Sequence, residues 1–232
     1  MNTENLAVVQ GWADTREALD RWRRRPAEPL LPWSLGSLAV ATLLLVATWV
    51  VALLSPPDVS GIYFPGLSVT STLGDYGFVV YRNGLVLALH ALACVAGFMA
   101  GSSLPQVAEG YTGVWRRIHD KAGPLAIGFV ILATVFSLVT QAYALGHSAS
   151  TLAAGLDVSP GLLLLGLTPH ALPELFALFL PLAAWTIASR RRQLNSLLAA
   201  TFVTTVIAIP IILAAAAVEV WVTPRLLLEL AG

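Results

Sequence analysis

Charge and cysteine are both scarce in this sequence. Only 11% of its 232 residues are charged, whereas soluble domains carry about a quarter. A chain this poor in charge could not cover a water-exposed surface, which excludes an ordinary soluble globular protein. The formal net charge is zero, which argues against nucleic acid as a partner. The single cysteine, Cys94, excludes an intramolecular disulfide.

Hydrophobic residues are what the chain has instead, at 57% of the total with a mean hydropathy of +0.77. A transmembrane helix needs about 20 mainly apolar residues. Five stretches are that long, so we predict an all-α fold, a polytopic transmembrane helical bundle over 33–232. The five spans lie at about 33–54, 81–104, 122–145, 169–189 and 197–222.

Two segments lie outside these spans. Residues 1–32 are polar and lack a signal-peptide pattern, and their tryptophans recur at helical spacing. We interpret them as a cytoplasmic amphipathic segment, lying either in the membrane interface or in solvent. Residues 148–167 contain a polar patch followed by an apolar run too short to span, so we predict an external re-entrant or interfacial segment.

Basic residues set the expected orientation. All lysines and arginines except Arg82 and Arg225 precede the first span or lie between spans two and three or four and five. The positive-inside rule makes those segments cytoplasmic. We therefore expect a multi-pass protein of the cell membrane with its N-terminus in the cytoplasm and its C-terminus outside.

Ionisable and amide side chains within the spans are the candidate functional residues, because each is costly in lipid unless it is paired or hydrated. Counting along the spans from their predicted ends places them all in the outer half, so we predict an intramembrane polar cluster there. Each has a plainer interpretation as an interhelical hydrogen-bonding group or a residue at the hydrated boundary. The predicted cluster consists of Asn83, His90, His170, Glu174 and Glu219.

Small residues on the second span predict close helix packing. Gly97 and Gly101 form a G-x-x-x-G pair, and Ala93 extends it by one turn. Such a pair also occurs by chance in apolar helices. In the fourth span, prolines make the helix irregular, which suits a segment buried in protein or lining a cavity.

No enzymatic motif is present. Histidine and glutamate can bind zinc, but the chain lacks a His-Glu-x-x-His pair, a Walker motif and a dinucleotide fingerprint. We therefore expect no enzyme activity, no catalytic residues, no metal and no cofactor.

Three segments resemble the stage II sporulation protein M family. Residues 168–175 resemble its Pro-His-Gly-x-x-Glu-Leu segment, with Ala171 where the family commonly has glycine. Glu219 followed by Thr223-Pro224 is similar to its final helix. Arg82-Asn83-Gly84, leading into Gly97 and Gly101, resembles its second helix.

The resemblance implies a polytopic membrane protein without established enzyme activity. Its sporulation member serves as a membrane scaffold acting with stage II sporulation proteins D and P. The leading hypothesis is therefore a non-enzymatic scaffold or adaptor whose partners are the lipid bilayer, other membrane or envelope proteins and a second copy of itself. The alternative is a permease subunit of a transporter driven by a separate cytoplasmic ATPase, which Trp115, Arg116 and Arg117 would dock.

Overall fold

In a computed structural model, the described part of the chain folds almost entirely into helices. The structure describes the backbone of residues 7–58, 67, 70–99 and 112–232, and their side chains except those of 7–10, 114–124, 126 and 127. Within these ranges there are seven α-helices, which we number in chain order. They are α1 (Ala7–Arg24), α2 (Ala27–Leu54), α3 (Leu73–Phe98), α4 (Gly113–Gly155), α5 (Pro160–Arg191), α6 (Leu197–Ala217) and α7 (Thr223–Ala231).

Five helical segments of the described chain are long and apolar enough to cross a membrane. They are Ala27–Leu54, Leu73–Phe98, Gly128–Gly155, Pro160–Arg191 and Leu194–Ala231. In lipid every backbone polar group must be satisfied within the protein, which an uninterrupted helix achieves. The predicted all-α, multi-pass membrane fold is confirmed.

The second span starts eight residues earlier than predicted, at Leu73. Thr72 and Asp75 form a capping box at this start. The Thr72 N–H donates to Asp75 Oδ2 at 2.8 Å, and the Asp75 N–H donates to Thr72 Oγ1 at 3.2 Å. These bonds satisfy N–H groups that have no helical acceptor, so the helix begins before its first continuous apolar run. The predicted end, at 104, lies outside the described residues.

Residues 148–167 do not form a separate element. Residues 148–155 complete α4, and 160–167 begin α5. The turn between them is short because Asp157 has a φ of 55° and the Ser159 hydroxyl accepts the Leu162 N–H at 3.2 Å. Pro160 then occupies the first position of α5, where a missing N–H costs nothing. Local capping thus continues two helices through the residues for which we predicted a re-entrant or interfacial segment.

The chain divides into two compact units, and each long helix contributes to both. Unit 1 comprises Met1–Ser37, Val86–Thr134 and Phe179–Ala208. Unit 2 comprises Leu38–Leu85, Val135–Leu178 and Ile209–Gly232.

In unit 1, aromatic and small side chains pack the helices together. The rings of Trp22 on α1 and Trp33 on α2 meet edge to face, 5.1 Å apart between centroids. Gly97 lies against Trp185, where an added methyl would meet the indole nitrogen at 2.5 Å. The buried Cys94 thiol donates to the Pro181 carbonyl at 3.1 Å.

In unit 2, α2, α4, α5 and α7 share an apolar core. Its buried members are Ala52, Ala149, Leu152, Ala153, Leu163 and Leu227. Gly146 allows α4 to approach α2 closely, because a methyl there would meet the Val51 Cβ at 2.5 Å and the Thr48 carbonyl at 2.8 Å.

Candidate functional site

Unit 2 contains a cavity of about 610 Å³, bordered by α2, α3, α4, α5 and the turn that follows α6. A cavity of this size falls within the range of small-ligand sites. Its wall combines leucines with charged and hydroxyl side chains. The polar lining residues are Thr48, Asp58, Arg82, His147, Ser148, Thr151, His170, Glu174 and Glu219.

Two carboxyl groups from different helices meet in this cavity. Glu174 on α5 and Glu219 after α6 both line it and interact electrostatically with each other and with Arg82. Asn83 lies beside the Glu174 carboxyl. Among the described residues, no direct ion pair joins Arg82 to either glutamate. Arg82 therefore influences the two carboxylates without contacting either of them.

A π-helical turn, Val218–Val222, carries Glu219. The cause is Pro224, which has no N–H to donate to the carbonyl of Val220 four residues earlier. The Ser71 hydroxyl donates to that carbonyl instead, at 2.7 Å. The Thr223 N–H bonds to the Val218 carbonyl, five residues back. Such turns occur frequently at functional sites.

His170 is fixed at the cavity wall by a single described partner. A hydrogen bond of 2.8 Å joins its Nδ1 to the Thr223 hydroxyl, and both residues are buried. The Thr223-Pro224 pair thus shapes the turn that bears Glu219 and also orients His170.

Three buried polar atoms around the cavity lack a hydrogen-bond partner among the described residues. They are Thr48 Oγ1, Asn83 Nδ2 and Glu174 Oε2. Thr48 and Asn83 are each only 3% exposed. Buried polar groups in folded proteins are nearly always satisfied, so an unsatisfied set beside a cavity indicates room for a further polar group.

The structure brings together four of the five predicted polar residues, Asn83, His170, Glu174 and Glu219, in unit 2. His90 belongs to unit 1, where its ring centroid lies 5.7 Å from that of Phe179. His90 is not among the residues that line the cavity, and its place in the polar cluster stays a prediction.

The structure describes only some of the residues predicted for helix packing and for partner docking. Gly97 packs against Trp185, and Ala93 is half-buried. Gly101 lies outside the described residues. Trp115, Arg116 and Arg117 lie on α4, but their side chains are also outside the described set. Among the residues that the structure describes, no three His, Cys, Asp or Glu side chains are grouped to hold a metal ion.

A second feature is the polar side of α4. Ser137, Thr140, Ala144 and Ser148 are spaced three or four apart and share one side of the helix, and all are exposed. Among the described residues, the hydrogen bonds of Ser137 and Thr140 stay within α4. Gln141 Nε2 donates to Ser137 Oγ, and the Thr140 hydroxyl donates to the Phe136 carbonyl.

Helix α4 is also the least enclosed of the spans. Only 6% of its most apolar stretch is buried within the protein, against 67% for Pro160–Arg191. Its packed side consists of small residues, including Ala142, Gly146, Ala149 and Ala153. The polar side lies away from this packed side, and Ser148 at its end also lines the cavity.

Several of these residues were not predicted. Arg82 was counted only as a basic residue outside the cytoplasmic segments, and Thr48 gave no signal in an apolar run. The Thr223-Pro224 pair was available in the sequence as a signal for the π turn. The sequence also showed the spacing of Ser137, Thr140, Ala144 and Ser148. It did not show which side of the helix would be exposed.

Comparison with known proteins agrees with the sequence resemblance. Residues 122–224 match the model of the family described as Stage II sporulation protein M. The match contains α5, α6 and the turn bearing Glu219, and it excludes Arg82 and Asn83. No curated protein and no solved structure matches the chain.

Proposed function

We propose that this membrane protein, which is stage II sporulation protein M-like over residues 122–224, is a non-enzymatic scaffold or adaptor for other envelope proteins. The observation that carries the proposal is the exposed polar side of α4. A partner's transmembrane helix with small or hydrogen-bonding side chains is the occupant that fits this surface.

The chemistry of α4 supports a helical partner better than lipid. Hydroxyl and amide side chains gain nothing from acyl chains, whereas serine, threonine and glutamine form hydrogen bonds across helices in membranes. Small side chains such as Ala144 also allow two backbones to approach closely. The large apolar residues Phe136 and Val139 face a different side of α4 and suit lipid.

The sequence resemblance gives independent support, because it implies a scaffolding role for the sporulation member. The distribution of lysine and arginine supports a cell-membrane protein with a cytoplasmic N-terminus. In that orientation unit 2, with the cavity and the polar side of α4, is available to partners outside the cytoplasm.

Site-specific photo-cross-linking in native membranes tests the proposal. A photoreactive amino acid at Ser137 is compared with the same residue at Val139, which is two positions along and on nearly the opposite side of the helix. We expect discrete adducts with envelope proteins from position 137 and diffuse lipid adducts from position 139. Equal protein adducts from both positions, or none from either, would contradict the assignment, and adducts between two copies would identify a homo-oligomer as the occupant.

A permease subunit is the second candidate, favoured by the cavity with its two glutamates. In that case a cytoplasmic ATPase would co-purify with the chain, and Glu174→Gln would abolish flux in liposomes without unfolding the protein. A folded Glu174→Gln variant with normal flux would exclude this role for the cavity.

A further inference from the structure

We infer that the cavity of unit 2 binds a zwitterionic amphiphile, in which an ammonium group lies beside an anionic group on an apolar chain. This inference concerns the cavity and does not depend on the polar side of α4. It rests on the charges, the unsatisfied polar atoms and the apolar wall of the cavity.

The ammonium site is the pair of carboxyl groups. Glu174 and Glu219 both line the cavity and interact electrostatically with each other, and two neighbouring carboxyl groups either share a proton or take up a cation beside them. Glu174 Oε2 has no described donor. A primary ammonium group offers three donors to such a set.

The anion site is Arg82. Its side chain is exposed, lines the cavity and makes no direct ion pair with another described residue. A guanidinium group binds phosphate or carboxylate through two parallel hydrogen bonds. Arg82 acts on Glu174 and Glu219 without contacting them, so a compact zwitterion fits with its cation at the glutamates and its anion at the arginine.

The apolar chain has its own wall. Leu45 on α2, Leu145 on α4, and Leu164 and Leu167 on α5 line the same cavity. A soluble zwitterion would gain little from these side chains, whereas an acyl chain would bury apolar surface against them. The leucines therefore favour a lipid over a small soluble zwitterion.

A buried, unsatisfied side chain in its wall distinguishes the cavity from a chance gathering of charges. Thr48 lines it, is 3% exposed and has no hydrogen-bond partner among the described residues. Asn83 lies beside Glu174 and is equally buried. A bound zwitterion supplies the hydrogen-bond partner that Thr48 lacks.

Calorimetric titration of the purified full-length protein in mild detergent tests the inference. The probes are short-chain dihexanoyl phosphatidylethanolamine, dihexanoyl phosphatidylglycerol and free phosphoethanolamine. We expect the ethanolamine lipid to bind at least about tenfold more tightly than the glycerol lipid, which lacks the cation. If free phosphoethanolamine binds as tightly as the ethanolamine lipid, the ligand is a zwitterion but a soluble one and not a lipid. Equal binding of the two lipids would overturn the inference.

Variants locate the binding in the cavity. Glu219→Gln should weaken binding of the ethanolamine lipid roughly tenfold, because a charge-assisted hydrogen bond is lost. Glu229→Gln, an exposed change on α7 outside the cavity, is the matched control and should bind normally. Thr48→Val, which replaces only a hydroxyl group by a methyl group, should weaken binding severalfold. It provides the test if the Glu219→Gln protein does not fold. Unchanged affinity in a folded Glu219→Gln or Thr48→Val protein would overturn the assignment.

Discussion

Replacing Gly97 by alanine tests the close packing of α3 in unit 1. The new Cβ would lie 2.5 Å from Trp185 Nε1 and 3.1 Å from Leu197 Cδ1, whereas carbon atoms in contact are normally 3.5–4.0 Å apart. Trp185 is 4% exposed and Leu197 is fully buried. The rigid indole ring must therefore move by about 1 Å within a packed core, and overpacking of this kind costs about 1–3 kcal/mol.

A second glycine of the same helix provides the reference. A Cβ at Gly84 would meet nothing within 4 Å. Each glycine-to-alanine change favours the helix by about 1 kcal/mol, so Gly84→Ala should be stabilising by about that amount. Gly97→Ala combines the same gain with the packing cost, for a net destabilisation of about 0–2 kcal/mol. The free energies of unfolding of the two variants should differ by about 1–3 kcal/mol.

Unfolding in mild detergent, followed by tryptophan fluorescence, measures this difference. For a chain of this length each kcal/mol moves the midpoint temperature by about 2–4 °C, so the Gly97→Ala midpoint should fall below that of Gly84→Ala by several degrees. Equal midpoints for the two variants would refute the close approach of Gly97 to Trp185.

Two further predictions concern unit 2. Gly146→Ala should destabilise the protein by about 1–3 kcal/mol, because its Cβ would meet Val51 and the α2 backbone. Gly128→Ala is the control in the same helix, since a Cβ there would meet nothing within 4 Å. Equal stability of the two variants in detergent would contradict the close packing of Gly146 against α2. Thr223→Val should cost about 1–3 kcal/mol because it leaves the buried ring nitrogen of His170 without its partner, and an unchanged unfolding midpoint would show that this bond contributes nothing.

The spans were predictable because lipid imposes one dominant rule. A run of about 20 apolar residues has to be helical in a bilayer, whatever its neighbours are. The ends of the spans depend on local capping instead. Thr72 with Asp75 starts α3 eight residues before the apolar run, and Ser159 with Pro160 starts α5 before the predicted fourth span.

The start of α3 also sets the depth of two residues of the second span. Measured from Leu73, Arg82 lies about 13 Å into the helix and His90 about 25 Å, at 1.5 Å per residue. Arg82 is thus inside the span and lines the cavity, whereas His90 belongs to unit 1. Glu174 and Glu219 were identifiable because a carboxylate in an apolar helix is costly wherever the helix ends. The exposed side of α4 could not be predicted, since sequence periodicity does not say which side of a helix its neighbours leave open.

The scaffold proposal is tested most directly by comparing what co-purifies from native membranes with the wild-type chain and with two α4 variants. Ser137→Leu places a bulky apolar side chain on the polar side, and Val139→Leu makes a matched change on the other side. We expect envelope proteins to co-elute in stoichiometric amounts with the wild type and Val139→Leu, and to be lost with folded Ser137→Leu. Co-elution that is unaffected by Ser137→Leu, or the absence of any stoichiometric partner, would contradict the proposal.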